Sequence, residues 1–574
     1  MKRLLIVLLA LTLAMSWLPV RAAEAASIIK TDDGLEFSFG MAQKVVFFTL
    51  DGLDLTSDVG ACGGRDCNFR SFISPDSNVG SNPLGIWNFT NILFTLSKGP
   101  VSIHTNLELE AAIDENIADI NALNLERANL TWKTGVIGDL VVGFDVHLFD
   151  PEGGLVYQDE DPGIWLIGSQ GPVSWNIGYH KRLERNRGTP LGNLVGAPLI
   201  PFQPDSRLKS TDIDTDILEA RVGFNLGVIS LSPFFLAHIR HTAGALGTNI
   251  FSCPTQGLGL GGNCGGAANA VDGRLRAEIY YPGLVVTAKL GPLSFTAEGA
   301  GMFGEVRELG PNFQSIFGRD KLDVESFAVY GELALDLTAQ GLGITPFVAI
   351  DWRRGDDNPT NDSLEGYVPI SDLSAALRKD GFKGQSISSL GPPIFGAGGE
   401  DGWGFNTTGR GVGPTIGTIL EGFGNDATFF NSRWGKGDNP GMMKATAGFL
   451  GKITPQVDMK AAVSYFRFDT TEPIRVEAAL NQESRGFAPP AACAGIADRG
   501  ARATCIANTL SVSDNMGFEI NANIGWSPVP AFRIQPFVSV FVPLDAAKDI
   551  NGLFLGTRAD RTAYLGGVEF RAQF

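Results

Sequence analysis

The chain has 574 residues, including 72 Gly and 38 Phe, and 44% of it is hydrophobic. No internal run reaches the roughly eighteen apolar residues of a membrane-spanning helix, and a formal net charge of −17 opposes nucleic-acid binding. Segments of about ten residues instead alternate apolar and polar side chains between Gly, Pro, Asn and Asp clusters. The composition therefore predicts an all-β protein.

The N-terminus has the pattern of a secretory signal peptide. Lys2 and Arg3 precede an apolar run over 4–18, and Ala23-Glu24-Ala25 offers a small-x-small cleavage site. A membrane anchor is the alternative, but the apolar run is short for one. The predicted division of the chain is a signal peptide over 1–25, a short periplasmic segment over 26–34 and a barrel over 35–574.

Period-two alternation predicts eighteen strands, with sixteen as the alternative count. Their predicted starts lie near Leu35, Trp87, Val101, Asn121, Leu140, Gly163, Val173, Asp214, Ile229, Arg274, Leu293, Leu322, Ile344, Met443, Val457, Gly517, Arg533 and Thr562. The fourth strand changes phase near Arg127. Short connections such as 97–100 alternate with long ones such as 354–442. Outer-membrane barrels have short periplasmic turns and longer extracellular loops, so we expect a transmembrane antiparallel β-barrel.

Three nearly identical pentapeptides fix the orientation of this barrel: GPVSI at 99–103, GPVSW at 171–175 and GPLSF at 291–295. The Gly-Pro pair is a turn signal, and the residues after it alternate like a strand. The three repeats precede the third, seventh and eleventh predicted strands, so all of them fall at one rim. With a periplasmic N-terminus, that rim is the periplasmic one.

Six cysteines form three pairs close in sequence, which are Cys62/Cys67, Cys253/Cys264 and Cys493/Cys505. In an exported chain such pairs predict small loop disulfides, and all three fall at the extracellular rim. The zinc-knuckle C-x-x-C spacing and the haem motif C-x-x-C-H are absent from the sequence. The Asp/Asn cluster at 356–362 lacks the EF-hand spacing, so a solvated turn is favoured over calcium binding. We expect no cofactor and no metal.

If the apolar face of each strand meets lipid, the polar face lines the lumen. A charge facing lipid at mid-bilayer costs ~2–4 kcal/mol, so inward placement is forced and marks no site by itself. As a set, opposed acids and bases would impose a transverse field on the pore. The predicted pore-lining residues are His104, Glu108, Glu110, Asp145, His147, Glu219, Arg221, Arg274, Arg276, Glu278, Lys289, Glu298, Glu332, Asp336, Asp351, Arg353, Lys460, Glu519, Arg533, Glu569 and Arg571.

Three features concern the ends of the barrel. Tryptophans near predicted strand ends are expected to form an aromatic girdle, namely Trp87, Trp132, Trp165, Trp175, Trp352 and Trp526. The long 354–442 connection is expected to fold inward and narrow the pore. The terminal strand TAYLGGVEFRAQF alternates apolar and polar residues and ends in Phe574. It resembles the C-terminal signature that the barrel-assembly machinery reads, with Phe570 and Phe574 as the expected signal.

No G-x-S-x-G elbow and no H-E-x-x-H motif occurs, so we expect no enzyme. The first strand begins near Leu35, which leaves no room for an N-terminal plug. The passages ITPFVAIDWRRGDDNPTNDSLEGY (344–367) and KATAGFLGKITPQVDMKAAVSYFRFD (444–469), with the terminal EFRAQF, resemble the eighteen-stranded alginate-export family of outer-membrane porins.

That resemblance implies a plug-free barrel, monomeric or trimeric, in the outer membrane of a Gram-negative bacterium. The family moves a polyanion, whereas the predicted lumen mixes acids and bases, so the sequence departs from the family at this point. We expect a porin for passive diffusion of small hydrophilic solutes. The alternatives are polysaccharide export, or a non-conducting barrel that displays loops for adhesion or sheaths an electron-transfer partner. Membrane lipid and the assembly machinery are the other expected partners.

Overall fold

The computed structural model describes residues 27–51, 81–113, 118–150, 152, 154–184, 213–242, 276–307, 319–367, 370, 440–484, 487–554, 558 and 560–574. The predicted signal peptide, Cys62, Cys67, Cys253, Cys264, Arg274 and most of the 354–442 connection lie outside these residues. The strands are β1 Ser27–Lys30, β2 Leu35–Asp51, β3 Ser81–Lys98, β4 Val101–Ile113, β5 Ala118–Lys133, β6 Asp139–Leu148, β7 Gln158–Gln170, β8 Val173–Glu184, β9 Ile213–Asn225, β10 Ile229–Thr242, β11 Arg276–Leu290, β12 Leu293–Arg307, β13 Lys321–Leu335, β14 Ile344–Arg353, β15 Ser363–Leu364, β16 Met442–Thr454, β17 Val457–Phe468, β18 Asn515–Val529, β19 Phe532–Pro543 and β20 Ala563–Gln573. The helices are α1 Glu472–Ser484, α2 Arg499–Ala507 and α3 Asp545–Phe554.

Eighteen of these strands, β2–β14 and β16–β20, close into one antiparallel barrel. Each pairs with the next along the chain, β14 pairs with β16, and Ala42–Asp51 of β2 pairs with Tyr564–Gln573 of β20. The closure leaves no unpaired sheet edge, which is the condition for strands to stand in hydrocarbon. The predicted fold and strand count are confirmed, and each predicted start lies in or beside the corresponding strand.

The two faces of the wall differ in the way the sequence predicts. Ile520 on β18 is 50% exposed, whereas the adjacent carboxylate side chain of Glu519 is 1% exposed. Large apolar residues such as Ile177, Phe235 and Val348 are exposed on the same outward face of their strands. A water-soluble barrel would bury these side chains and expose the carboxylates. The outer surface is therefore the apolar band of a membrane-spanning barrel.

The Gly-Pro pairs form two-residue hairpin turns at the rim that carries the short connections, here called the short-turn rim. Gly99, Gly171 and Gly291 have φ of 59°, 59° and 63°. A positive φ followed by proline is the pattern of the type II′ turn, whose twist matches that of the flanking strands.

The proline of each pair also ties its hairpin to the next strand. Its carbonyl oxygen accepts a hydrogen bond from a backbone N–H at the end of a neighbouring strand in all three cases. The pairs are Lys133 N to Pro100 O at 2.8 Å, Asn225 N to Pro172 O at 2.7 Å and Asp336 N to Pro292 O at 2.7 Å. The repeated pentapeptide is thus one local structure used three times at a single rim.

One end of the seam where the barrel closes lies at the same rim. Phe574 exchanges two backbone hydrogen bonds with Met41, at 2.8 and 3.0 Å. Strand β1 pairs with β2 beside that point, so part of the predicted periplasmic segment extends the sheet. On the outer face, Phe570 contacts Phe47 and Phe532, with ring centroids 5.8 and 6.5 Å apart. The seam is held by both termini of the barrel.

A buried apolar cluster covers part of the inner wall, along β9–β13. Two stretches pack against this wall from inside. We call the described residues of 149–157 the inner loop, and residues 364–367 with 370 the inner segment. Their apolar members are Phe149, Leu155, Val156, Tyr157, Leu364, Tyr367 and Ile370, and the wall contributes Ile217, Phe234, Leu236, Ala277, Ile279, Tyr281, Val285, Ala300, Met302, Val306, Leu322, Val324, Ala328 and Tyr330. The inner loop and inner segment therefore cover part of this wall with apolar contacts, which the sequence pattern did not predict.

The opposite rim carries a helical cap. A disulfide joins Cys493 to Cys505, and α2 contains the second of these cysteines. The Thr360 and Thr504 hydroxyls lie 2.7 Å apart, which connects the cap to the start of the 354–442 connection. Of the three predicted disulfides, this one lies within the described residues and is present. Among the described residues, none of the helices combines the length and the apolar sequence that a membrane span requires.

Two of the six tryptophans follow the girdle prediction and one does not, and the side chain of Trp87 lies outside the described residues. Trp132 and Trp526 are exposed on the outer face at the short-turn rim. The girdle prediction is wrong for Trp165. Its side chain is 2% exposed and faces the interior beside His180, with ring centroids 5.8 Å apart. Gly163 and Gly178 lie against the indole and leave the space it fills. A strand-end position predicts a girdle only where the side chain points outward.

Candidate functional site

The inner wall carries most of the predicted pore-lining residues. On the face opposite the exposed apolar band lie His104, Glu108, Asp145, Glu219, Arg221, Lys289, Glu298, Glu332, Asp351, Arg353, Lys460, Glu519, Arg533, Glu569 and Arg571. Glu110, His147 and Arg276 belong to β4, β6 and β11, and for these three the description stops at the backbone. The inner face is therefore where a solute in the lumen would meet the protein.

The sequence predicts Glu278 on the inner face of β11, but in the structure its side chain lies on the outer face. It is exposed, whereas its neighbours Ala277 and Ile279 are buried in the inner cluster. This part of β11 approaches the long-loop rim, where the outer face can meet water and the inner face packs on the inner loop. The usual rule of polar inward and apolar outward is inverted there, so the charge pattern alone gives the wrong phase.

Asp336 also departs from its predicted place, because it follows the last residue of β13 and lies in the turn. Its backbone N–H donates to Pro292, and its Oδ1 accepts a hydrogen bond from the Thr338 N–H at 2.9 Å. Hydrogen bonds from Thr338 hold the pKa of this exposed carboxyl below its usual value. Asp336 therefore stabilises a turn and does not form part of the barrel wall.

A polar cavity of about 260 Å³ opens on the inner wall of β3–β6. Its floor carries a hydrogen bond between Thr95 Oγ1 and His104 Nδ1 at 3.1 Å, and an ion pair between Arg127 Nε and Asp145 Oδ1 at 3.2 Å. Asn129 and Thr131 line the same cavity. Because it combines donors, acceptors and both charges, this surface suits small hydrophilic molecules.

A β-bulge turns Arg127 toward this cavity. Asn106 pairs with Arg127, but the next residue, Leu107, pairs with Leu125, so Glu126 is extra. Such an insertion shifts the alternation of the strand by one residue. This is the phase change that the sequence shows near Arg127, and the arginine itself was missed as an inner residue because its face could not be read through the bulge.

A second polar stretch runs along the inner wall of β17–β20. Arg533 forms two hydrogen bonds to the carboxylate of Asp458, both at 2.7 Å. Ser539 donates to Glu519 Oε1 at 2.8 Å, and Arg571 pairs with Glu569. These neighbouring acidic and basic side chains give this part of the inner wall charges of both signs.

Asp458 was missed by sequence reasoning, although it lies two residues from the predicted Lys460 and shares its face. Lys444 was missed in the same way; its ammonium lies 5.6 Å from the Phe466 ring centroid on the inner wall. In both cases the alternation of the strand was the available signal. The predicted set therefore understates how many charges this side of the lumen carries.

The start of the 354–442 connection turns inward, as far as it is described. The Tyr367 hydroxyl donates to Leu155 O at 2.8 Å, and Ile370 N donates to Val156 O at 2.9 Å. The inner segment and the inner loop therefore support each other on the wall. Constriction of the pore by the rest of the connection stays a prediction.

The part of the chain that the structure describes contains no group of three or more His, Cys, Asp or Glu side chains arranged to hold a metal ion. Two side chains of the Asp/Asn stretch at 356–362 accept hydrogen bonds from the backbone two residues further on: Asp356 Oδ1 accepts from Asn358 N at 3.0 Å, and Asn361 Oδ1 accepts from Ser363 N at 2.9 Å. These are the hydrogen bonds of Asx turns.

No family model matches the chain, and no curated protein matches it. Solved structures with similar architecture include OccK2 (OpdF) of Pseudomonas aeruginosa, at 10% identity and TM-score 0.43, covering 94% of this chain and 98% of that one. Others are OccAB1 of Acinetobacter baumannii (9%, TM-score 0.42, 96% and 100% covered) and the outer-membrane channel DcaP of the same species (9%, TM-score 0.34, 95% and 99% covered). The fold assignment rests on this chain's own strand pairing.

Proposed function

We propose that the protein is a channel for passive diffusion of small hydrophilic solutes across an outer membrane. The observation that carries the proposal is the polar inner wall of β3–β6 and β17–β20, set inside a closed barrel with an apolar exterior. Barrels of sixteen to eighteen strands are wide enough to leave an aqueous channel. Diffusion requires no chemistry on the solute, so the proposal includes no enzymatic activity.

The charges of the inner wall favour solutes without a strong preference of sign. The pairs Arg127–Asp145 and Arg533–Asp458 each place a cation beside an anion. A channel for a long polyanion would need an excess of Arg and Lys along its path. We therefore place polysaccharide export behind diffusion of small solutes.

The outer membrane of a Gram-negative bacterium is the proposed location, reached after cleavage of the signal peptide. The C-terminal strand supports assembly by the barrel-assembly machinery, because Phe570 faces outward and the backbone of Phe574 closes the seam. A monomer and a trimer both remain proposals for the assembled state.

Swelling of proteoliposomes tests the proposal. Vesicles containing the purified protein are diluted into isosmotic solutions of a small amino acid, a monosaccharide and an oligosaccharide. We expect rapid swelling with the first two and slow swelling with the third, because passage falls with solute size. Fast swelling with the oligosaccharide would favour polysaccharide export instead. The absence of swelling with every solute would contradict both.

A non-conducting barrel is the second candidate, and the apolar wall along β9–β13 favours it. The inner loop and inner segment cover that wall, so part of the interior is filled by protein. In that case the barrel would display the disulfide-linked cap for adhesion or enclose an electron-transfer partner. Binding of cells or of a haem protein without any solute flux would support this candidate.

A further inference from the structure

Arg353 is a charged side chain that the protein encloses at the end of β14. Its side chain is 1% exposed, although it belongs to the inner face, where a water-filled lumen would leave it wet. Removing a guanidinium from water is strongly unfavourable unless hydrogen bonds and a counter-charge replace the water. The surroundings of Arg353 therefore have to supply acceptors and negative charge.

The described residues satisfy this guanidinium in part. Nε lies 3.5 Å from Asp351 Oδ1, at the limit of a hydrogen bond. Nη1 and Nη2 are both buried, and neither has a hydrogen-bond partner among the residues that the structure describes. Arg533 shows the contrast, because its Nη1 and Nη2 each donate to Asp458 at 2.7 Å. The terminal nitrogens of Arg353 thus present a buried pair of donors that calls for an acceptor.

The charges next to Arg353 on the inner wall leave a positive excess. Lys444 on β16 lies opposite Asp351 in the strand register, and both side chains are 3% exposed. The Asp351 carboxylate is therefore the neighbour of two buried cations. Asp356, further along the chain, is fully buried and accepts two backbone hydrogen bonds. A site closed to water with more positive than negative charge favours an anion.

The backbone fixes Arg353 in this position. Its neighbour Trp352 donates from Nε1 to Asp469 Oδ1, and Gly355 N donates to Asp469 Oδ2, both at 2.8 Å. One carboxylate on the far side of the connection thus holds the chain immediately before and after Arg353. A guanidinium that is already held in place loses little freedom when it binds a ligand.

The inner segment closes the same end of β14. Tyr367 N donates to Arg354 O at 2.8 Å, and Arg354 Nη2 donates to Glu365 Oε2 at 2.9 Å. The residue after Arg353 is therefore bonded to the inner segment through its backbone and its side chain. A ligand held by Arg353 would lie where the 354–442 connection leaves the wall.

We propose that Arg353 binds a small inorganic oxyanion, of the phosphate or sulfate class, in an enclosed site at the end of β14. The two Nη atoms of an arginine match two oxygens of an oxyanion, and the paired charge-assisted hydrogen bonds are strong. Because Arg353 is enclosed, the anion is a fixed part of the protein and not a solute crossing the lumen. The site does not rest on the proposed channel function.

Binding of inorganic phosphate to the purified full-length protein tests the site. The protein in detergent is dialysed free of phosphate and sulfate, and equilibrium dialysis with radiolabelled phosphate in a chloride buffer then measures the bound anion. Wild type should bind one phosphate per chain, and sulfate should displace it. Arg353→Gln should weaken binding about tenfold or more, because it removes the charge-assisted hydrogen bonds. Arg127→Gln removes the same charge from an exposed ion pair on β5 and should bind like wild type.

A second variant keeps the proposal testable if Arg353→Gln does not fold. Asp351→Asn retains the arginine and removes the carboxylate that repels the anion, so it should bind phosphate about tenfold more tightly. Hydrogen exchange gives an independent readout in wild type. The amides of Gly355 and Tyr367 should become more protected as phosphate is added, because a ligand that binds the folded state stabilises the structure around it.

Three results would overturn the site. These are a wild type that binds neither phosphate nor sulfate, equal affinity of wild type and Arg353→Gln, and weaker binding by Asp351→Asn than by wild type. Dialysis and hydrogen exchange require no solute flux, so failure of the proposed channel would leave this test unchanged. A channel that conducts normally would equally survive the loss of the anion site.

Discussion

Gly171 shows how a single residue fixes the geometry of a rim. Its φ of 59° is a conformation that other residues adopt at a cost, yet an added Cβ would meet nothing within 4 Å. The cost of replacing it is therefore conformational, not steric. The same holds for Gly99 and Gly291, whose Pro neighbours make the same bond to the next strand.

We predict that Gly171→Ala lowers the free energy of unfolding by about 1 kcal/mol. Urea denaturation of the barrel in detergent measures it. Gly171→Asn should cost less, because Asn tolerates positive φ better than Ala. Gly299→Ala is the matched control, since its site is equally open and its φ is ordinary. Equal losses for Gly171→Ala and Gly299→Ala would contradict the conformational explanation.

Arg533 and Asp458 allow a prediction about the charge of the lumen. Their two hydrogen bonds hold one cation and one anion on the inner wall. Arg533→Gln should shift ion selectivity toward cations, and Asp458→Asn should shift it toward anions, because each variant leaves the partner's charge unbalanced. Reversal potentials in a salt gradient measure both shifts. Glu278→Gln is the control: it faces outward and should not change the selectivity.

At the scale of elements, the strands were predictable because a barrel wall separates lipid from a watery interior along most of its height. That separation enforces the period-two pattern through which all eighteen strands were found. The inner loop was not predictable, because Phe149 and Leu155–Tyr157 are apolar residues in a connection and their partners are far away in sequence. Where the loop covers β11, the pattern inverts, and Glu278 was misplaced for that reason.

The residues of the candidate site also fall into those that the strand alternation predicts and those that it does not. His104, Asp145 and Lys460 were recognised because they alternate regularly with apolar neighbours. Arg127 was missed because of the bulge beside it. The hydrogen bonds of Arg221 to Phe149 and Glu152 join positions far apart in sequence, so no local pattern contains them. Sequence periodicity therefore identifies the wall of the lumen but not the contacts that cross its interior.

The helical cap supports a prediction at this scale. The Cys493–Cys505 disulfide closes a loop with a sequence separation of 12, for which the chain-entropy model gives a stabilisation of about 3 kcal/mol. Cys493→Ser with Cys505→Ser should make the 487–510 region sensitive to protease while the barrel stays intact. Limited proteolysis with mass spectrometry measures this. Loss of the whole barrel, or unchanged resistance of the cap, would contradict an independent role of the disulfide in the cap.

At the scale of the whole molecule, closure and the distribution of polarity determine what the protein can do. The pairing of β2 with β20 removes the last sheet edge, and the apolar outer band fits the hydrocarbon core of a membrane. Polar walls along β3–β6 and β17–β20 face the interior, and the covered wall of β9–β13 narrows it. The barrel therefore encloses a polar interior that the inner loop and inner segment partly obstruct.

Electrical recording of the purified protein tests that path most directly. In a planar lipid bilayer with salt on both sides, we predict discrete, stepwise increases in current as single barrels insert, with a conductance that rises with salt concentration. A bilayer that takes up correctly folded barrels, verified by their resistance to heat denaturation, and shows no current steps at pH 5, 7 or 9 would contradict a continuous aqueous channel through the barrel.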